Sequence, residues 1–321
     1  MSKIGEPRTV PKSLRGIAGF LLATVCGLGF GFVAMGFLLS MLSPQVVSSR
    51  DFVPFWATGQ QLAHHGNPYD ANDLLRIERG AGLHATGSPM FMRNPPWALP
   101  LVYPLGFLGL QVASILWSLL LLMCLVVSVR MIWIMHGRPK TQRTLLGYSF
   151  GPALLCLLNG QTSLFALLGL VLFLQLHRSR PFLAGISLWL CALKPHLFVS
   201  FGVVLIAWIV VSRSYKVLAG ATLSIAASSA IAFLMDPAAW AQYSRMVKTS
   251  GMERDHIPCV SYLLRHWISP QTMWLQYLPV VLGCAWALCY FWNRRHRWDW
   301  MKDGGLVMLV SVLSAPYYWL Y

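Results

Sequence analysis

Two residues far apart in the sequence carry side chains that can do chemistry beside a membrane. Asp51 follows a long apolar segment, and a carboxylate there can take a proton from a hydroxyl group as a general base. Lys194 closes a shorter apolar run, and Pro195 breaks the helix after it, so backbone N–H groups of the next helix become available to an anion. A lysine beside a helix N-terminus at headgroup depth predicts a phosphate site. Together the two residues indicate proton abstraction close to a bound phosphate.

The sequence also allows a purely structural interpretation of each of these residues. Apolar and aromatic residues at helical spacing predict a helix over 52–65, and Asp51 is then in the N-cap position that aspartate favours. Lys194 and Arg93 have long side chains that can extend to lipid headgroups instead of binding a substrate phosphate. His196 either donates to the same phosphate or caps the helix that follows it. Both interpretations stay open at this point.

Three further groups of polar residues have weaker signals. Asn159 and Gln161 belong to a tight turn, where their amides suit sugar hydroxyls but turn formation alone also explains the Asn-Gly pair. The residues at 64–65 are neighbouring histidines, whose side chains point about 100° apart on a helix. We therefore expect no metal and no cofactor. Asp70 is predicted to cap the helical turn that follows it.

These polar residues must be positioned by elements that are almost entirely apolar. Hydrophobic residues make up 56% of the chain and charged residues 11%, whereas a soluble domain has about 25% charged residues. The apolar blocks are long enough to cross about 30 Å of hydrocarbon as helices, so we predict an all-α polytopic membrane protein. The predicted spans, about nine in all, are 16–42, 97–135, 144–158, 162–176, 181–194, 196–212, 217–235, 271–292 and 304–321. Within the second block, a short interfacial helix should precede a crossing helix at about 110–135.

The distribution of basic residues predicts the orientation. The formal net charge of +15 would indicate nucleic acid for a soluble chain, but the basic residues cluster in short loops between apolar segments. Of the 25 lysines and arginines, 16 lie in the N-terminal segment or in and beside the loops that would share its side of the membrane. The positive-inside rule makes that side cytoplasmic, so we expect a cytoplasmic N-terminus and no nucleic-acid partner.

The opposite face collects the polar residues. It receives the outer loops 43–96 and 236–270, the turn at 159–161 and the break at Lys194, and it holds seven of the ten carboxylates. A transporter is expected to place its polar site near the middle of the membrane, between broken helices. Concentration at one surface instead favours an active site at the extracytoplasmic interface, in a protein of a bacterial-type inner (plasma) membrane.

Six short motifs follow one another along the chain. They are Asp51-Phe52 with Phe55-Trp56-Ala57-Thr58-Gly59, Gly66-Asn67-Pro68-Tyr69-Asp70, Asn94-Pro95-Pro96-Trp97 with Pro104-Leu105, Asn159-Gly160-Gln161, Ala192-Leu193-Lys194-Pro195, and Ser314-Ala315-Pro316-Tyr317. In this order they resemble glycosyltransferase family 87, the polyprenol-phosphate-mannose-dependent mannosyltransferases of the GT-C superfamily. The family pattern usually continues further, which leaves open a truncation after Tyr321.

The resemblance implies an all-helical, GT-C-like bundle, here one domain over 1–321, with an extracytoplasmic active site. It implies a polyprenyl-phosphate sugar donor, a glycolipid or glycan acceptor and contacts with membrane lipids. The family's base is an aspartate in the first outer loop, which maps onto Asp51, while the Lys194 motif maps onto the region of the donor phosphate. We expect His196 and Arg93 to assist at that phosphate. The residues expected to contact the sugar or acceptor are Phe55, Trp56, Tyr69, Asn159, Gln161 and Tyr317.

The predicted function is therefore inverting transfer of a sugar, mannose by the resemblance, from a polyprenyl phosphate to a hydroxyl group, with Asp51 as base. One alternative is a transporter or flippase for a lipid-linked sugar. It predicts a second polar site on the cytoplasmic side, which the sequence does not indicate. The other alternative is a non-catalytic membrane scaffold, which predicts that Asp51 and Lys194 can be replaced together at little cost.

Overall fold

The computed structural model describes residues 51–82, 89–139, 147, 148, 150–250 and 259–317, together with several helical positions between 24 and 36. Every regular element in these residues is helical, which confirms the predicted all-α class. The helices are α1 (Val53–Ala63), α2 (Ala71–Gly80), α3 (Leu110–Met135), α4 (Gly151–Asn159), α5 (Ser163–Leu176), α6 (Pro181–Ala192), α7 (Val199–Ser212), α8 (Tyr215–Met235), α9 (Ala239–Thr249), α10 (Val260–Ile268), α11 (Leu278–Arg294) and α12 (Trp300–Leu313).

Three of the described helical segments are long and apolar enough to cross a membrane. They are α3, α8 and the segment Met273–Arg297, which contains α11. The apolar helices α5, α6 and α7 have only 14, 12 and 14 residues, or about 18–21 Å at 1.5 Å per residue. The structure thus agrees with a membrane protein, whereas the count of about nine spans stays a prediction. Most of the first predicted span, 16–42, lies outside the described residues.

Proline and glycine set the helix boundaries near the site. Residues 96–107 form three short helical turns that contain Pro96, Pro100 and Pro104, and the long α3 begins only at Leu110. This is the predicted arrangement of a short segment before a crossing helix, because proline cannot continue a regular hydrogen-bond ladder. Gly160, with φ of 75°, ends α4 in the left-handed conformation that glycine adopts at low cost.

Small residues bring the central helices into close contact. Helix α6 packs between α5 and α8, and α7 packs against α11 and α12. A Cβ atom at Gly185 of α6 would overlap the Val217 carbonyl of α8, and one at Gly220 would overlap the Phe182 carbonyl. Such close backbone approach is a frequent basis of helix association in membranes, where hydrophobic burial gives little driving force.

The buried apolar side chains of the bundle form two clusters. The first contains Phe52, Trp117 and Phe165, the last of which is in the first turn of α5. The second contains Phe173, near the other end of α5, with Trp300 of α12. Large apolar side chains such as those of α3 and α7 remain exposed on the outside of the bundle, as expected for a surface in contact with lipid.

Candidate active site

The Asp51 carboxylate lies next to the turn at Gln161. The N-cap position of α1 belongs to Phe52, so Asp51 precedes the cap, and the N-cap interpretation of this aspartate is wrong by one residue. Its Oδ2 atom instead accepts a hydrogen bond of 2.5 Å from Gln161 Nε2, across 110 residues of sequence. The helix shifts because Pro54 fixes the first turn one residue later than the apolar pattern predicts.

The turn at 159–161 is held against the start of α1. A Cβ atom at Gly160 would lie 2.8 Å from Phe52 Cβ, so only glycine allows this approach. The indole Nε1 of Trp117 donates to the Gly160 carbonyl at 2.8 Å. Because Phe52 and Trp117 are both buried, the turn is fixed by packing and by a hydrogen bond, and Gln161 is aimed at Asp51.

Lys194 reaches the same glutamine from the other side. Its Nζ donates to Gln161 Oε1 at 2.8 Å and to Ser163 Oγ at 3.0 Å. Burial lowers the pKa of Lys194 from 10.5 to about 8, and the nearby Asp51 carboxylate partly opposes that shift. Because this pKa lies above 7, the ammonium form predominates at pH 7. One amide group therefore links a carboxylate to a desolvated ammonium.

The backbone before Lys194 is fixed by the motif at 94–97. Asn94 Nδ2 donates to the Leu193 carbonyl at 2.7 Å, and Trp97 Nε1 donates to the Ala192 carbonyl at 2.9 Å. These carbonyls end α6 and have no partner within the helix. The two side chains thus satisfy the C-terminal end of α6 and set the direction in which Lys194 leaves it.

His196 lies between Lys194 and Tyr317, two other residues predicted for the site. Its ring stacks on Tyr317 with 4.2 Å between centroids. Burial, with Lys194 nearby, lowers the pKa of His196 to about 3, so the imidazole is neutral at pH 7. Burial raises the pKa of Tyr317 to about 12, helped by two other tyrosines, while the Arg93 guanidinium is close enough to oppose the shift. Arg93 and the neutral His196 are therefore brought together at Tyr317.

Tyr69 joins this group through α9. Its buried ring contacts that of Tyr243, with 5.6 Å between centroids, and the Tyr243 hydroxyl donates to the Arg93 carbonyl at 3.3 Å. Burial raises the pKa of Tyr69, and the neighbouring Tyr243 and Asp236 act in the same direction. The Tyr69 hydroxyl has no hydrogen-bond partner among the described residues.

Comparison with known families identifies the chain. A family model described as glycosyltransferase family 87 matches residues 91–316, which is more than half of the sequence. The chain belongs to glycosyltransferase family 87. It is a membrane glycosyltransferase that acts on a sugar donor and an acceptor in a lipid environment. No curated protein matches the chain, and no solved structure does.

The range matched by the family 87 model contains Gln161, Lys194 and Tyr243 but begins after Asp51. The hydrogen bond from Gln161 is therefore what places Asp51 beside residues of the matched region. The sequence motifs had led us to expect this family, and the match confirms it.

Three of the residues expected to contact sugar or acceptor in this family 87 protein have side chains that pack or form hydrogen bonds within the protein. Phe55 is buried with its ring centroid 5.4 Å from that of Trp117. Trp56 Nε1 donates to the Leu108 carbonyl at 2.9 Å, and Asn159 Nδ2 donates to Leu155 in its own helix at 2.9 Å. Their predicted role in binding stays a prediction, since these contacts account for each side chain without a ligand.

Two residues of the site, Ser163 and Tyr243, have no role predicted from the sequence. Ser163 binds Lys194, and Tyr243 links Tyr69 to the Arg93 backbone. Ser163 stands only two residues after Gln161, which is a signal that proximity along the chain could have provided. Tyr243 has no such signal, because its loop contains many aromatic and charged residues and nothing in the sequence distinguishes it from them.

Asp70 and His64, two other polar residues of the first outer loop, have partners within their own helices or turns. Asp70 Oδ1 accepts from the backbone of Asn72 at 2.9 Å and of Asp73 at 3.0 Å, which confirms that it caps α2. His64 is exposed, with its Nδ1 2.7 Å from the Gln60 carbonyl of its own helix. Within the described ranges, no three histidine, cysteine, aspartate or glutamate side chains are grouped as metal ligands would be.

Proposed function

We propose that this family 87 glycosyltransferase moves a sugar, mannose by family resemblance, from a polyprenyl-phosphate donor to a hydroxyl group of a lipid-linked or cell-envelope glycan. The observation that carries the proposal is the pair of hydrogen bonds by which Gln161 joins Asp51 to Lys194. Sugar transfer from a phosphate donor needs a base for the acceptor hydroxyl and a cation for the leaving phosphate. A carboxylate and an ammonium held by one amide supply these two groups. We infer that the anomeric configuration is inverted.

Asp51 is the proposed base. Its carboxylate takes the proton of the acceptor hydroxyl while that oxygen forms a bond to the anomeric carbon of the donor sugar. The bond between the anomeric carbon and the phosphate oxygen breaks in the same step, and the electron pair leaves with polyprenyl phosphate. Gln161 Nε2 already donates to one carboxylate oxygen and so fixes its direction, which supports a defined approach by the acceptor.

Lys194 is the proposed partner of the leaving phosphate. Negative charge increases on that phosphate as the glycosidic bond breaks, and a positioned ammonium in a desolvated site stabilises it more than water does. The neutral His196 lies near Lys194, and Arg93 lies near Tyr317, on which His196 stacks. Both are proposed to donate to the same phosphate. Ser163 and Gln161 hold the ammonium in place until the donor binds.

The position of the site supports a donor that is itself a lipid. Lys194 lies just past the end of the apolar helix α6, and α7, which follows, exposes the apolar side chains of Ile206 and Val210. A polyprenyl chain can lie along such a surface while its phosphate stays at the helix ends. A transporter would move the same molecule without forming a product, so the two functions are separated by product analysis.

Replacement of Asp51 by asparagine tests the proposal directly. The Asp51→Asn side chain keeps the shape of the carboxylate but not its basicity, so transfer should fall by about 10²–10⁴-fold. Membranes or purified enzyme are incubated with synthetic polyprenyl-phosphate mannose and glucose and with candidate glycolipid acceptors, and the products are identified by mass spectrometry.

The matched control is Asp73→Asn. Asp73 is a carboxylate of the same outer loop whose side chain pairs at the surface with Arg76, 2.8 Å away, and this variant should retain transfer. Turnover by Asp51→Asn equal to that of the control would refute the base. Movement of the donor between leaflets without any glycosylated product would favour the transporter instead.

A further inference from the structure

A cavity lies at the opposite end of α5 from Lys194. Helix α5 connects the two places: Ser163 in its first turn binds Lys194, and His177 just past its last turn lines the cavity. The 14 residues of α5 span about 21 Å. The cavity is therefore separate from the proposed transfer site.

The walls of this cavity combine tryptophans with basic side chains. Its volume is about 460 Å³, within the range of about 300–1,000 Å³ that is usual for small-molecule sites. The aromatic wall consists of Trp208, Trp298 and Trp300, and the ring of Trp300 contacts both of the others. The basic residues are Arg178, Arg213 and Lys216, and none of the lining residues is a carboxylate.

The basic side chains exceed the negative charge around them. Among the described carboxylates only Asp299 pairs with a cation of this cavity, at 3.5 Å from Arg178. The indole N–H groups of Trp298 and Trp300 are buried and have no acceptor in the described part of the chain. Buried donors normally have a partner, so these two indoles are unusual. The cavity itself carries an excess of positive charge.

We propose that this cavity binds a phosphate group, either the headgroup of an anionic phospholipid or a soluble phosphate ester. Arginine and lysine are the side chains that bind phosphate in proteins, and charge-assisted hydrogen bonds to them are the stronger kind. The segments at 177–181 and 213–216 lie at the ends of apolar helices. Lipid headgroups lie at the ends of helices that cross the hydrocarbon layer of a bilayer. A phosphate there would neutralise the surplus of basic charge.

A second polar site is also what the transporter alternative predicts, but packing separates this one from Lys194. Phe173 and Phe201 are buried above it, with 5.2 Å from each ring centroid to that of Trp300. These rings also contact each other, with 6.0 Å between their centroids, so apolar packing lies on the side of the cavity that faces the bundle interior. The cavity is thus a binding site of its own and does not depend on the transferase proposal.

Native mass spectrometry of the full chain in detergent tests the inference. Phosphatidylglycerol and phosphatidylcholine are offered at equal concentration, and the protein should retain one phosphatidylglycerol about ten-fold more than phosphatidylcholine. The triple variant Arg178→Gln, Arg213→Gln, Lys216→Gln should lose that retention. Lys216 is exposed, so Lys216→Gln alone should fold, and it should weaken the retention of phosphatidylglycerol. This single variant tests the inference if the triple variant does not fold.

The matched control replaces three exposed basic residues assigned to the same end of the protein that do not line the cavity: Arg130→Gln, Arg297→Gln and Lys302→Gln. This variant should bind within about two-fold of the wild type. Equal losses in the two triple variants, or equal binding of the two lipids, would overturn the inference. Competition by glycerol phosphate assigns the site to a soluble ester if it displaces the lipid and to a headgroup if it does not; both results support a phosphate site.

Discussion

Lys194 shows how the environment of a single residue sets its chemistry. An exposed lysine is charged at every physiological pH, whereas burial brings the pKa of this ammonium to about 8. Its partners Gln161 and Ser163 are neutral, so they orient the ammonium without cancelling its charge. A cation held in this way remains available to a phosphate that enters the site.

The pH dependence of transfer should follow from this pKa. The protonated form of a lysine exists below its pKa, so the rate should fall as pH rises through about 8. In the variant Lys194→Arg the cation persists at high pH, and the alkaline decrease should move upward or vanish. The measurement is kcat between pH 6 and 10 for both enzymes. A wild-type rate that stays constant through that range would contradict the role of the ammonium.

Gln161 is a positioning residue whose removal should affect rate more than binding. In Gln161→Leu both hydrogen bonds are lost, so Asp51 and Lys194 are no longer held together and kcat should fall by about 10–100-fold. KM for the donor should change much less. The control is Gln175→Leu, at an exposed position near the other end of α5. Equal kinetics in the two variants would show that the bridge does not position the site.

The sequence predicted the two ends of this bridge but not the bridge itself. Asp51 and Lys194 could be selected because charged residues are rare in apolar surroundings. Gln161 was expected to bind sugar, since a hydrogen bond across 110 residues leaves no local pattern. Phe55 and Trp56 were expected to contact substrate, because an aromatic residue next to a membrane interface has the same sequence pattern whether it packs or binds.

At the level of elements, the segment around residue 90 is tied to α2 by a buried carboxylate. Both oxygens of Glu78 accept from the Met90 backbone N–H at 3.1 Å, and the side chain is fully buried. Burial raises the pKa of Glu78 from 4.5 to about 7, partly offset by that hydrogen bond. This contact fixes the start of the segment that carries Arg93 and Asn94 into the site.

The raised pKa of Glu78 gives a stability prediction. Between about pH 4.5 and 7 the folded protein binds more protons than the unfolded chain, so stability should decrease as pH rises through that window. Glu78→Gln keeps an acceptor for Met90 without an ionisable group, and it should remove an effect on the order of 1–3 kcal/mol. Thermal unfolding in detergent at pH 5 and pH 8 measures it. The variant should be the more stable protein at pH 8. If Glu78→Gln and the wild type lost the same amount of stability between pH 5 and pH 8, the assignment would be contradicted.

Helix boundaries were the most predictable elements. The expected spans 162–176, 181–194 and 217–235 agree within two residues with α5, α6 and α8. Two expected spans start further from the observed helices. Span 196–212 starts before α7, because Pro195 leads into a short turn before Val199. Span 304–321 starts after the first residue of α12, because Asp299 caps that helix from Trp300 onward. Hydropathy marks the apolar run, whereas capping and proline decide where hydrogen bonding begins.

For the whole molecule, the proposed orientation gives a test that does not depend on activity. With a cytoplasmic N-terminus, a cysteine at position 73 in the first outer loop should react with a membrane-impermeant maleimide on intact cells. A cysteine at position 302, on the exposed side of α12, should react only after the membrane is opened. Labelling is compared with the parent protein to correct for its native cysteines. The reverse pattern would place the site in the cytoplasm and would exclude the proposed outer location.

The basic cavity at the far end of the bundle was not predicted. Arg178, Arg213 and Lys216 were each counted as part of the general excess of positive charge on one side. Their convergence depends on how α5, α7 and α8 end beside one another, and the tryptophans that complete the wall come from α7, from the first residue of α12 and from the segment before it. Hydropathy and charge counts indicate neither where helix ends meet nor which tryptophans lie beside them.

The shortness of the helices near the site has a consequence for the surrounding bilayer. Helix α7, which exposes Ile206 and Val210, is about 21 Å long, whereas the hydrocarbon layer is about 30 Å thick. Such a mismatch is met by local thinning of the bilayer, at a fraction of a kcal/mol per Å. The headgroups around the protein would then sink into a shallow depression, and a donor could bring its phosphate down to Lys194 without its chain ever leaving the leaflet.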